Sequence, residues 1–174
     1  MTIIKTVACV VAAMTLATAA PAQESTNRVG AETDWSSFDG DDPKVCWAVS
    51  APKQSVNMRD GREVAVRRGD ILLFVSHFPT NASVGEVSFT GGYPFAEGST
   101  VSLEVGDTSF ELFTEGEFAW PASPGDDAKI VAALKRGTEA TLTGRSSRGT
   151  TTRDTFSLLG ATAMIESAET RCTG

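Results

Sequence analysis

Basic residues, histidine and cysteine are all scarce in this chain of 174 residues, and each scarcity excludes something. Lys and Arg number 15 against 22 Asp and Glu, a formal net charge of −7. The chain therefore lacks the basic stripe with which nucleic-acid binders neutralise phosphates. The single histidine, His77, is the one available to any Ser-His or Cys-His catalytic arrangement, and no nucleophile elbow surrounds it. Three cysteines and one histidine do not supply a four-ligand zinc site, and there is no Cys-x-x-Cys. No Gly-Lys-Ser/Thr follows the glycines at Gly85 and Gly91-Gly92, so no phosphate-cradling loop of that type is present. Beyond the N-terminus no stretch is long and apolar enough to span a bilayer. Neither a cofactor nor a metal is expected.

What is present reads as one exported domain. Hydrophobic residues make up 41% of the chain and charged residues 21%, close to ordinary soluble domains, and the length suits one of them. Lys5, the short apolar stretch Thr6 to Leu16 and the small-residue site Ala20-Pro21-Ala22 form a signal-peptide pattern over residues 1–22. Cleavage after Ala22 leaves Cys46 and Cys172, an even count in an oxidising compartment, which predicts a disulfide. Residues 23–43 are polar and acidic and read as a flexible N-terminal arm, packing late through Trp35 and Phe38. A single β-rich domain is then expected over residues 44–174.

Strand signals run through that domain. Val45–Ser50 is a short strand stopped by Ala51-Pro52. Ile71–Phe78 is a continuous apolar run, expected to be buried on both faces. Gly85–Thr90 shows alternation. Turns are expected at Asp60-Gly61, Gly106-Asp107, Glu115-Gly116 and Ser147-Arg148-Gly149. Two helices are expected, over residues 123–136 and 161–171. The first has Ser123 as N-cap, Pro124 in the first turn, Lys135 and Arg136 in the last and Gly137 as a left-handed stop. The second repeats Ala161, Met164, Ile165, Ala168 and Cys172 at helical spacing. The fold class is mainly β, an antiparallel β-sandwich or open barrel with these two short helices.

Few residues offer chemistry. Glu111, Glu115 and Glu117 lie near one turn and are the candidates for a carboxylate pair, though solvated glutamates are the ordinary case. Asp39-Gly40-Asp41-Asp42 is similar to a calcium loop but lacks the alternating ligands and the terminal Glu. Asn81-Ala82-Ser83 fits a glycosylation acceptor in a eukaryotic host. Tyr93, Phe95 and Trp120, aromatics beside prolines at strand ends, form the possible partner surface; core packing is the alternative for Phe95 and Trp120.

An ordered set of short segments carries a resemblance over roughly Lys44 to Cys172. They are Lys44-Val45-Cys46-Trp47-Ala48-Val49, Arg68-Gly69-Asp70-Ile71, Gly85-Glu86-Val87-Ser88-Phe89 and Gly91-Gly92-Tyr93-Pro94-Phe95. Phe110-Glu111-Leu112-Phe113, Trp120-Pro121 and Asp154-Thr155-Phe156-Ser157-Leu158-Leu159-Gly160 follow, with Cys172 at the end. In this order they resemble the invasion-associated locus B family of exported bacterial proteins. The resemblance implies a mainly β fold, the periplasm or envelope of a Gram-negative bacterium, and no established enzymatic site. The expected function is a non-enzymatic envelope protein binding or supporting another, unidentified envelope component, in the periplasm or secreted. The alternatives are a surface factor acting on host cells and a periplasmic hydrolase.

Overall fold

The computed structural model describes residues 27–79 and 85–173. The expected signal peptide and the Asn81-Ala82-Ser83 acceptor lie outside the described residues. The strands are β1 (Arg28–Glu32), β2 (Trp35–Asp41), β3 (Lys44–Ser50), β4 (Gln54–Arg59), β5 (Arg62–Glu63) and β6 (Leu72–His77). They continue with β7 (Glu86–Thr90), β8 (Thr100–Val105), β9 (Thr108–Glu115), β10 (Phe118–Trp120), β11 (Glu139–Arg145) and β12 (Thr151–Ser157). Helix α1 (Pro124–Arg136) joins β10 to β11, and α2 (Ala161–Thr173) follows β12. All pairings are antiparallel, in one sheet ordered β1-β2-β3-β6-β7-β10-β9-β8-β11-β12-β4-β5. The expected class, mainly β with two helices, is the one observed.

The sheet curls on itself without closing. β7 and β12 are five places apart in the strand order, which in a flat sheet would separate them by about 24 Å at the usual ~4.8 Å spacing. Yet Phe89 of β7 and Phe156 of β12 meet edge to face with centroids 6.2 Å apart. Further bonds tie the ends: the Trp35 indole N–H donates to the Ser157 carbonyl at 2.9 Å, and the Asp34 N–H to that of Leu159 at 3.2 Å. The inner face is the core. Leu73, Val75, Val87, Phe89, Leu103, Leu112, Leu142 and Phe156 are fully buried and alternate with more exposed neighbours. That period of two is what an antiparallel sheet with one covered face requires.

Two sequence expectations are corrected here. Residues expected in a flexible arm form β1 and β2 instead, and Trp35 is a core residue at 1% exposure. The polar composition misled because β2 alternates, with Trp35 and Ser37 facing in and Ser36 and Phe38 on the other face. The ordered sheet thus starts at Arg28, not near Lys44. Likewise β6 is buried on one face only: Leu72 and Phe74 are half-buried on the outer face, because a curled sheet has one interior.

The turns form where expected. Two residues, Gly106-Asp107, connect β8 to β9, and Asp60-Gly61, both at positive φ, connect β4 to β5. Helix α1 is capped as its sequence predicts, with Ser123 Oγ accepting from the Asp126 N–H at 3.3 Å. Gly137 differs from expectation. Its φ is −78°, an extended rather than a left-handed stop. Glycine is required there by packing, since a Cβ would stand 2.5 Å from Val105 Cγ1 and 2.8 Å from Leu158 Cδ1. Helix α2 runs two residues further than predicted and lays Ala161, Ile165, Ala168 and Cys172 against the sheet, mainly β2 and β3.

Candidate binding cleft

A well-formed concavity lies at one end of the curled sheet. It is a cleft of about 560 Å³ between the segment after β5, the Gly92–Pro94 turn and the β11–β12 hairpin. Two glycine-containing motifs build its base. Gly69 donates its N–H to the Gly92 carbonyl at 2.8 Å. Gly92 has φ +70°, and a Cβ on it would come 2.6 Å from the Gly69 carbonyl oxygen, so the approach needs glycine twice over. The contact carries Arg68 inward. Its Nε donates to the Gly91 carbonyl at 2.8 Å, and its Nη1 and Nη2 grip the two oxygens of Asp154 at 2.7 and 2.6 Å. Both side chains are nearly excluded from solvent, at 6% and 0% exposure.

Tyr93 walls the same base. Its hydroxyl hydrogen-bonds the Thr152 hydroxyl at 2.5 Å, and the Arg68 guanidinium lies 5.0 Å from its ring centroid. Burial pushes the phenol above its ordinary value, the Thr152 bond and the Arg68 charge pull the other way, and the phenol is neutral at physiological pH. The rim is different in character. Arg59, Arg67 and Arg148 are exposed, line the cleft and take part in no ion pair among the described residues. Arg59 donates through Nε and Nη2 to the Thr150 hydroxyl at 3.2 and 2.6 Å, which aims it without neutralising it. One carboxylate, Glu117, faces these three cations. An acidic protein therefore concentrates unpaired positive charge at this cleft.

No family model matches the chain, and no curated protein matches it. A structural comparison does. The crystal structure of invasion associated protein B from Bartonella henselae superposes with a TM-score of 0.55, covering 83% of this chain and 98% of that one at 19% identity. The fold is that of invasion associated protein B. The resemblance read from the short segments and the likeness in three dimensions point to the same protein. On this invasion associated protein B fold, Arg68-Gly69, Gly91-Gly92-Tyr93 and Asp154, drawn from three separate segments, converge at one place.

The remaining predicted residues are dispersed. Cys46 of β3 and Cys172 of α2 are disulfide-bonded, with Cα atoms 5.8 Å apart, beside buried Ala168. Phe95 is not a surface residue: at 7% exposure it packs on Phe89 and Tyr93. Gly144 leaves it the room, since a Cβ there would stand 2.9 Å from Phe95 Cε1. Trp120 is half-buried on the outer face of the sheet, stacked on Phe118 at 5.7 Å, and does not line the Tyr93 cleft. That face also carries Phe113, 51% exposed and opposite Trp120, and a second stacked pair, Phe38 and Trp47. Glu111, Glu115 and Glu117 line three separate concavities and share no site. Asp39 faces Lys44 and Arg171, each at 3.5 Å, instead of turning toward a calcium position. Sequence reasoning missed the arginine rim; the adjacent Arg67-Arg68 was its one local sign.

His77 sits at the end of β6, 2% exposed, and neither ring nitrogen has a hydrogen-bond partner among the described residues. Burial lowers its pKa below the ordinary 6.5, with Glu169 opposing and Lys135 adding to the shift. The unfolded chain therefore takes up a proton near pH 6.5 while the folded one does not, so stability falls as pH drops from 6.5 toward the folded value. His77→Leu is expected to flatten this part of the stability–pH curve, measured by urea unfolding. The wild-type excess slope is at most about 1.4 kcal/mol per pH unit. Parallel curves would show that His77 charges freely in the folded state.

Proposed function

We propose that the protein is a non-enzymatic exported protein of the Gram-negative envelope that binds another envelope component in the cleft beside Tyr93. The carrying observation is the cleft itself, a preformed concavity of ligand size (about 560 Å³) whose rim arginines form no ion pair among the described residues. The disulfide supports export, because such bonds persist in oxidising compartments. The signal-like segment over residues 1–22 supports it independently. No helix among the described residues is long and apolar enough to cross a membrane. The dispersal of Glu111, Glu115 and Glu117 removes the carboxylate pair on which a hydrolase reading depended. A second reading, a surface or secreted factor acting on host cells, is favoured by the name of the structural neighbour, invasion associated protein B.

Fractionation of the native host, followed by crosslinking and mass spectrometry, separates the two. The envelope reading expects the protein in the periplasm with a reproducible partner. Recovery from the medium or the outer surface alone would transfer the assignment to host interaction.

A further inference from the structure

The cleft's chemistry specifies its ligand further. Resting on the cleft being the binding site, we infer that it takes a phosphate-bearing ligand, a phosphomonoester or diphosphate on a body about the size of a sugar. Arg68 and Asp154 show what a carboxylate needs in this protein: one guanidinium, gripped bidentately, uses both oxygens. The rim offers far more. Arg59, Arg67 and Arg148 supply three charged planar donors around one opening, and the exposed Ser147 adds a hydroxyl. A phosphate, with up to two charges and three terminal oxygens, can engage several such donors at once. Ala65, Val66 and Pro94 line the rest of the cleft and offer apolar surface to the ligand's body. Glu117 opposes any anion there, so affinity is set by three cations against one carboxylate.

The test uses the exported, disulfide-bonded protein, with calorimetric titration of inorganic pyrophosphate and of glucose 1-phosphate. Vesicle flotation with phosphatidylcholine, with and without phosphatidic acid, separates a soluble from a lipid-borne phosphate. Pyrophosphate is expected to bind, and more weakly as salt rises. Arg67→Ala with Arg148→Ala should weaken it by about a hundred-fold, two charged hydrogen bonds' worth. Glu117→Gln should tighten it several-fold, and Arg153→Ala, outside the cleft on β12, should leave it unchanged. Both rim arginines are exposed, so an unaltered unfolding midpoint certifies the double variant as folded. Failure of pyrophosphate, glucose 1-phosphate and phosphatidic acid vesicles alike overturns the inference. So does binding that survives the double variant, or malonate binding as tightly as pyrophosphate. An envelope partner still captured by the double variant would sink the phosphate site while leaving the exported binding role in place.

Discussion

Replacing Asp154 by alanine is expected to destabilise the protein by about 3–5 kcal/mol, because it strands the nearly buried Arg68 charge without its carboxylate. The pair is bidentate and almost fully buried, and Arg68 has no other carboxylate within reach among the described residues; its remaining partners are Asn57 at 3.3 Å and the Gly91 carbonyl at 2.8 Å. Breaking a surface pair such as Lys53–Asp34, with Lys53 at 60% exposure, should by contrast leave the midpoint nearly unchanged. Urea unfolding at neutral pH checks both, read as a shift in midpoint at constant slope. The double change Arg68→Met with Asp154→Leu removes both charges together. It should cost clearly less than Asp154→Ala, since no uncompensated charge remains. A double variant as unstable as the single one would mean that the pair acts mainly by holding the Gly69–Gly92 contact and not through its charge.

Loss of the disulfide is the second large effect. Cys46 and Cys172 are 126 residues apart, so the crosslink closes a loop spanning most of the described chain and strongly restricts the unfolded ensemble. Cys46→Ser and Cys172→Ser should each cost about 2–5 kcal/mol, the upper end being the chain-entropy limit for a loop of this length. The double variant should cost little more than either alone, because both substitutions remove the same bond. Additive losses would instead point to separate packing roles for the two side chains beside Ala168. The crosslink is also the covalent tie between β3 and α2; on neighbouring β2, Ser37 meets α2 through the Ser167 hydroxyl, 3.3 Å from its own.

How much of this was legible without the structure depends on the range of the interaction. The sequence by itself determined what short segments decide. Ser123, Pro124 and the following acids mark the start of α1, because caps satisfy orphan N–H groups within one turn. Gly106-Asp107 and Asp60-Gly61 mark hairpins because two consecutive residues set the turn, and glycine tolerates the positive φ found at Gly106 and Gly61. The Cys46–Cys172 pairing followed from cysteine parity on the expectation of export, and the mainly β class from alternation.

Curvature decided the rest. Only when the sheet rolls up do Phe89 and Phe156 meet, Trp35 enter the core and Phe95 withdraw from the surface. The cleft belongs to this second kind: Arg59, Arg67, Arg68 and Arg148 come from three segments and read in the chain as scattered charges of an acidic protein. Net charge sums over all positions, whereas a binding site depends on which charges the backbone brings within a few ångströms, and that is a property of the curled sheet alone.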